Sequence, residues 1–140
     1  MANALNRHEA LGPRAFNAAI VRRDAFGRRR GFRVLVAEAG GHLVGYASFA
    51  IGYNTDIAAR DMWLHDLFVV PAWRGRRVGY ALVRAVAREA GRLGLPGLEW
   101  GVRGSNRLAL RFYRRLGARI SQTHIATLRG PGFAALATRR

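Results

Sequence analysis

The spacing of apolar positions changes several times along the chain, and each change marks an element. From Pro13 to Phe26, Phe16, Ala19, Ile20 and Ala25 form a partial stripe at helical spacing. Proline suits a first helical position, and Gly27 is placed to end the helix. Arg33 to Ala39 (RVLVAEA) and Leu43 to Gly52 (LVGYASFAIG) read as strands around a Gly40-Gly41 turn, which predicts an antiparallel hairpin. Asn54 to Asp61 is a polar connection. Met62 to Val70 (MWLHDLFVV) is apolar on both faces over most of its length, as a central strand is. Pro71 ends it, and the basic turn Trp73-Arg74-Gly75-Arg76-Arg77 leads into a helix from Val78 to about Leu93. In that helix Val78, Leu82, Ala85, Val86 and Leu93 share one face, and Arg77, Arg84, Arg88 and Arg92 another.

Leu98 to Arg103 (LEWGVR) predicts a short strand. Ser105 or Asn106 can cap a helix carrying Leu108, Ala109, Phe112, Tyr113 and Leu116, with Gly117 as its stop. Arg119 to Leu128 reads as a strand, Gly130-Pro131-Gly132 as a turn, and Phe133 to Ala137 as a last short strand. The central strand–turn–helix–strand unit is a parallel crossover, so the expected class is α/β (α+β), one sheet with helices on its faces. At 140 residues the chain has a one-domain length, and a single domain over 1–140 is expected.

Composition adds one anomaly. The net charge is +16, from 24 basic residues against 8 acidic ones, and every basic residue is arginine. Two readings compete: a polyanionic partner, or a GC-rich genome that favours arginine codons. The total absence of lysine supports codon bias, because phosphate binding never forbids lysine. With no cysteine, thiolate nucleophiles, disulfides and thiolate metal sites are excluded, and no metal is expected. The start, MANALNRHEA, has no apolar segment of a secretory leader, and no apolar run approaches the roughly eighteen residues of a membrane span. A soluble, cytoplasmic protein without membrane or nucleic-acid partners is the expectation.

The step from Val70 to Leu82 carries the first candidate chemistry. A strand ends, the chain turns through Gly75, and a helix begins near Val78. Backbone N–H groups of Arg76, Arg77, Val78, Gly79 and Tyr80 would converge there with the helix dipole, and Arg74, Arg76 and Arg77 would reinforce an anion site. The alternative is an ordinary crossover with a basic turn. The Walker pattern is not met, which argues against a nucleoside triphosphatase.

The stretch LFVVPAWRGRRVGYAL resembles the acetyl-CoA-binding motif of the GNAT superfamily of N-acetyltransferases. A second family landmark follows at matching spacing: Asn106, Phe112-Tyr113 and Leu116-Gly117-Ala118. The chain is most similar to the diamine (spermidine/spermine) acetyltransferase group, through LVAEA, LVGYASF, WLHDLFV and SNRLALRFYRRLGA. The resemblance implies a mixed, mostly antiparallel sheet with splayed central strands, and acetyl-CoA as co-substrate. It implies that Leu67, Phe68 and Val69 offer backbone groups to the pantetheine and thioester. Gly75, Arg76, Arg77, Val78, Gly79 and Tyr80, beside Arg74, would cradle the pyrophosphate, and Asn106 and Ala109 would contact the pantetheine. Tyr113 would protonate the departing sulfur, which a phenol with an ordinary pKa of about 10 can do at neutral pH. Without that motif, Tyr113 reads as a packed helix aromatic. Glu99 and Trp100, with Tyr53 and Asn54 at the end of the second strand, would line the acceptor side. The acceptor is expected to be the primary amine of a small molecule, and transfer to be direct, in a ternary complex.

Three departures from the family pattern stand out. Arg77 occupies a position where the family usually has glycine. His65 stands where the diamine group carries a glutamate; it reads either as the base for the amine or as a strand histidine satisfied by backbone. Alternation along the strand places Asp66 on the opposite face, as a structural carboxylate. The family's first strand and most of its first helix are absent from the expected elements, which exposes a sheet edge and favours a homodimer. The departures support an alternative reading, a catalytically degenerate acyl-CoA-binding domain. A nucleic-acid module rests on charge alone. Asp56, Asp61, Asp66 and Glu99 are the acids near the expected pocket, in a protein whose overall charge repels polycations.

Overall fold

The computed structural model describes residues 17–122 and 126–138. The chain divides into two compact units, residues 1–103 and 104–140. In the first unit, helix α1 (Ala18–Phe26) is followed by strands β1 (Arg33–Ala39), β2 (His42–Asn54) and β3 (Ala59–Val69). A single 3₁₀ turn (Pro71–Trp73), helix α2 (Val78–Arg92) and a two-residue strand β4 (Leu98–Glu99) complete it. The sheet order is β1-β2-β3-β4, antiparallel except for the β3–β4 pair. The second unit holds α3 (Arg107–Arg115) and α4 (Gly130–Thr138).

The α1 helix starts later than its stripe suggests. Asn17 caps it by accepting the Ile20 N–H on its side chain. Residues 13–16, with Phe16, lie outside the described residues. The hairpin forms as expected, with Gly40 and Gly41 both at positive φ in the turn.

Helix α2 packs on β1, β2 and β3 through Leu82, Val83, Val86 and Ala90, all buried. The spacing of these four is what a helix needs to keep one stripe against a sheet. Phe49, Met62 and Val86 are the largest fully buried side chains among the described residues. Gly45 sets the distance of approach. A Cβ there would lie 2.8 Å from the Phe68 carbonyl oxygen and 3.1 Å from Leu82 Cδ1. Gly45→Ala is therefore expected to lower unfolding stability by about 1–3 kcal/mol, read by urea denaturation, because the helix must retreat from the sheet.

Three sequence expectations are corrected. The strand expected over Leu98–Arg103 stops at Glu99, because only Met62↔Leu98 and Trp63↔Glu99 pair with β3. The described residues of Arg119–Leu128 form no strand; residues 123–125 lie outside the description. An alternating pattern becomes a strand only when a sheet edge receives it. The segment Phe133–Ala137, expected as a strand, is helical and belongs to α4, which begins at the expected Gly130-Pro131-Gly132 turn. Its Ala-rich sequence has strong helix propensity, and proline fits a first turn.

Candidate functional site

The open edge of β3 is the centre of the first unit's site. Strand β4 accompanies β3 only as far as Trp63. From Asp66 to Val69, β3 pairs with β2 and with no other strand among the described residues. The Val70 N–H donates to the Val44 carbonyl at 2.9 Å, which fixes the phase of that ladder. Alternation then turns the backbone groups of Phe68 toward β2, and those of Leu67 and Val69 toward the open edge. The Val69 carbonyl on that edge accepts from Arg74 Nε at 3.1 Å.

A β-bulge lies at the same place. Ser48 opposes Asp66 and Phe49 opposes Leu64, so His65 is the extra, unpaired residue. Strand alternation holds on either side of His65 but not across it, so the facing of His65 does not follow from that of Asp66. The His65 side chain is exposed. Asp66 is half-buried and accepts from the buried Ser48 hydroxyl at 2.7 Å, the anchoring role expected for it.

The turn between β3 and α2 collects cations and free donors. Gly75 and Arg77 both have positive φ, +74° and +61°. The Arg76 guanidinium lies over the Trp73 ring, 5.0 Å from its centroid. Trp73 therefore orients an arginine, a role its sequence position does not announce. Arg77 is the N-cap residue of α2, its side chain makes no capping hydrogen bond, and the first turn holds no acidic residue. The first intrahelical bond runs from the Ala81 N–H to the Arg77 carbonyl at 2.9 Å. The N–H groups of Val78, Gly79 and Tyr80 consequently have no partner within the helix. Free amides, a helix N-terminus and alternating left-handed residues suit a pyrophosphate, and the expected residues are brought together.

The conformation of Arg77 explains why glycine is at home there. A left-handed residue with a Cβ costs about 1–2 kcal/mol, while glycine costs about 0.5–1 kcal/mol in chain entropy. Arg77→Gly is expected to raise stability by up to about 1 kcal/mol in a denaturant titration. The exposed Arg77 side chain contributes no packing that the change would remove.

At the other end of β3 a cavity of about 250 Å³ is walled by Gly52, Tyr53, Asn54, Asp61, Trp63 and Glu99 among others. Asn54 Nδ2 donates to Glu99 Oε1 at 2.7 Å. Three of the four expected acceptor-side residues thus meet here. Trp100 is half-buried beyond the end of β4 and is not a wall of this cavity. Asp61, one of the acids expected near the pocket, is a wall of this cavity, and so is Trp63.

A larger groove of about 780 Å³ runs beside α1, β1 and α2. Glu89 lies in it, bonded to Arg92 and Arg33, and these guanidinium groups, Arg92 foremost, hold its carboxyl below the usual range.

In the second unit, Asn106 caps α3 by accepting the Ala109 N–H at 3.0 Å. Tyr113 is buried, and its ring centroid lies 5.2 Å from that of Phe112. Gly117, at φ +85°, ends the helix as expected. Among the described residues no cluster of three or more side chains could hold a metal ion, and no helix is long and apolar enough to cross a membrane.

Comparison with known proteins follows the same lines. Residues 4–118 match the model of the acetyltransferase (GNAT) family. Thialysine N-epsilon-acetyltransferase of Mus musculus is 32% identical over 106 residues, covering 70% of this chain and 62% of that protein. The chain thus aligns with about three-fifths of the mouse protein's length. An integron cassette protein from the mobile metagenome of V. cholerae has the same fold, with a TM-score of 0.81 at 23% identity, over 98% of this chain and 87% of the other. An aminoglycoside N-acetyltransferase solved in complex with CoA superposes with a TM-score of 0.66 at 20% identity, over 74% of this chain and 80% of that one. A four-stranded, mostly antiparallel sheet with a parallel final pair, a basic turn leading into a helix, and a family match over most of its length identify the chain as a member of the GNAT acetyltransferase family.

Proposed function

We propose that the protein is an acetyl-CoA-dependent N-acetyltransferase acting on the primary amine of a small molecule. The observation that carries this reading is the open edge of β3 running directly into the basic turn and the free N-terminus of α2. Relatives and structural neighbours support the acceptor class: the mouse protein is named for thialysine, and the structure solved with CoA for aminoglycosides. Acetyl-CoA, when bound, supplies the activated acetyl group.

The chain's own residues divide the remaining work. Val78, Gly79 and Tyr80 donate backbone N–H groups to the pyrophosphate, and Gly75, Arg74, Arg76 and Arg77 surround it with positive charge. Leu67 and Val69 present the open-edge amides that polarise the thioester carbonyl, as oxyanion donors do. Phe68, turned to β2, holds them in register. Asn106 and Ala109 contact the pantetheine. His65, exposed at the bulge, takes a proton from the incoming amine, and the Tyr113 phenol returns one to the departing sulfur. Tyr53, Asn54, Glu99 and Trp100 serve the acceptor. No metal takes part. The remaining edge of the sheet, β1, suits a homodimer, and a cytoplasmic location fits the co-substrate.

The test is release of free CoA when the protein, acetyl-CoA and a panel of primary amines are mixed. Amine-dependent release supports the reading. Saturable CoA binding with no release for any amine would make the domain a non-catalytic acyl-CoA binder.

A further inference from the structure

The apolar residues of β3 do not by themselves fix where its bulge falls. Leu67, Phe68, Val69 and Val70 are all apolar, so moving them one position along β2 exchanges one hydrophobic side chain for another. Below the bulge the ladder runs Phe49↔Leu64 and Ala50↔Trp63; above it, one residue out of step, it runs Ser48↔Asp66 and Ala47↔Leu67. If the lower register simply continued, Ser48 would meet His65, Ala47 would meet Asp66, and the extra residue would fall nearer Val70. The Asp66 amide would then turn to the open edge, and the Leu67 amide would turn to β2. The two positions of the bulge thus differ in which amide stands open.

One buried polar contact distinguishes them. Ser48 is 4% exposed, and its hydroxyl donates to Asp66 Oδ2 at 2.7 Å. A buried hydroxyl costs free energy unless it is bonded, and a bond to a carboxylate is stronger than one to a neutral acceptor. In the continued register that bond is lost. Asp66 would also share a face with Ala47, which is 0% exposed. That face packs on α2: a Cβ on Gly45, two residues from Ala47, would lie 3.1 Å from Leu82 Cδ1. A carboxylate there would be stripped of water, whereas the half-buried Asp66 of the observed register is not. A buried polar pair can set register where apolar packing is indifferent.

We propose that Ser48 and Asp66 form a register lock. Their hydrogen bond holds the bulge at His65 and so selects Leu67, rather than Asp66, as an open amide. Both are positioning residues: they set the Leu67 amide and the bulged His65 and touch neither co-substrate nor acceptor. The consequence for turnover rests on the acetyl-transfer reading; the lock itself does not.

The experiment measures backbone amide exchange by NMR in the full chain, without acetyl-CoA. In the parent, the Asp66 amide, bonded to β2, should be protected and the Leu67 amide should exchange fast. Ser48→Ala and Asp66→Ala should swap the two, Asp66 losing and Leu67 gaining protection by at least about tenfold. Asp66→Asn keeps an oxygen that accepts from Ser48 and should keep the parent pattern. Parent-like exchange in both alanine variants overturns the proposal. So does loss of protection at both amides together, which is what general loosening of the sheet produces. With an amine that the parent acetylates, Ser48→Ala should lower kcat about tenfold and leave CoA affinity unchanged, because the turn and the start of α2 are untouched. A swap of protection with unchanged kcat overturns the role in transfer. If the parent acetylates no amine, the transferase reading fails while the exchange pattern still decides the lock.

Discussion

Replacing Tyr113 with phenylalanine is expected to lower kcat about a hundredfold while leaving CoA affinity and thermal stability nearly unchanged. The phenylalanine ring keeps the tilted ring contact with Phe112 and the burial of the position. Only the hydroxyl is lost, and with it the proposed proton for the sulfur. If Tyr113 were merely a packed aromatic, the turnover rate would not move. Steady-state CoA release gives kcat, calorimetric titration gives CoA affinity, and a melting curve reports folding. A loss of rate accompanied by a large drop in melting temperature would count against the proton-donor role.

A second large effect is expected from Gly79→Asp, with opposite signs on stability and on binding. Gly79 lies in the first turn of α2, where no acidic residue balances the helix dipole. Removing a helical glycine gains up to about 1 kcal/mol, and a carboxylate near a helix N-terminus adds about 0.3–1 kcal/mol. The same carboxylate would occupy and repel the position proposed for a pyrophosphate. At an effective dielectric of about 20, each close like-charge contact costs about 4 kcal/mol before screening, so CoA affinity should fall at least about a hundredfold. Denaturant unfolding and CoA titration of the same sample check both signs. A variant that is more stable and still binds CoA normally would remove the anion site from α2.

The local elements were legible in the sequence because their causes are local. Gly40-Gly41 forces a hairpin turn, and both glycines have positive φ. Asn106 caps α3 with a bond to a residue three positions on. The apolar periodicity of Val78–Arg92 foretold the buried stripe of α2. The segments after Gly117 were misread for the same reason. An alternating pattern at Arg119–Leu128 suggested a strand, and the short apolar run at Phe133–Ala137 suggested another. The first has no strand pairing in its described residues, and in the second helix propensity prevailed.

The sequence by itself determined the hairpin, the crossover helix, the basic turn and the family motifs, all within short stretches of chain. Tertiary structure decided where β4 leaves β3, and so which backbone amides stand open. It decided that His65 is a bulged residue, which no alternation rule foresees. It also gave meaning to the charge. Spread along the sequence, eight acids among twenty-four arginines look like a remnant. Folding gathers Asp56, Asp61 and Glu99 around one cavity, with no arginine among the described residues of its walls. Strand register fixes such groupings through hydrogen bonds between distant segments, as Asn54 and Glu99 meet across 45 residues of chain. A linear pattern does not carry that information.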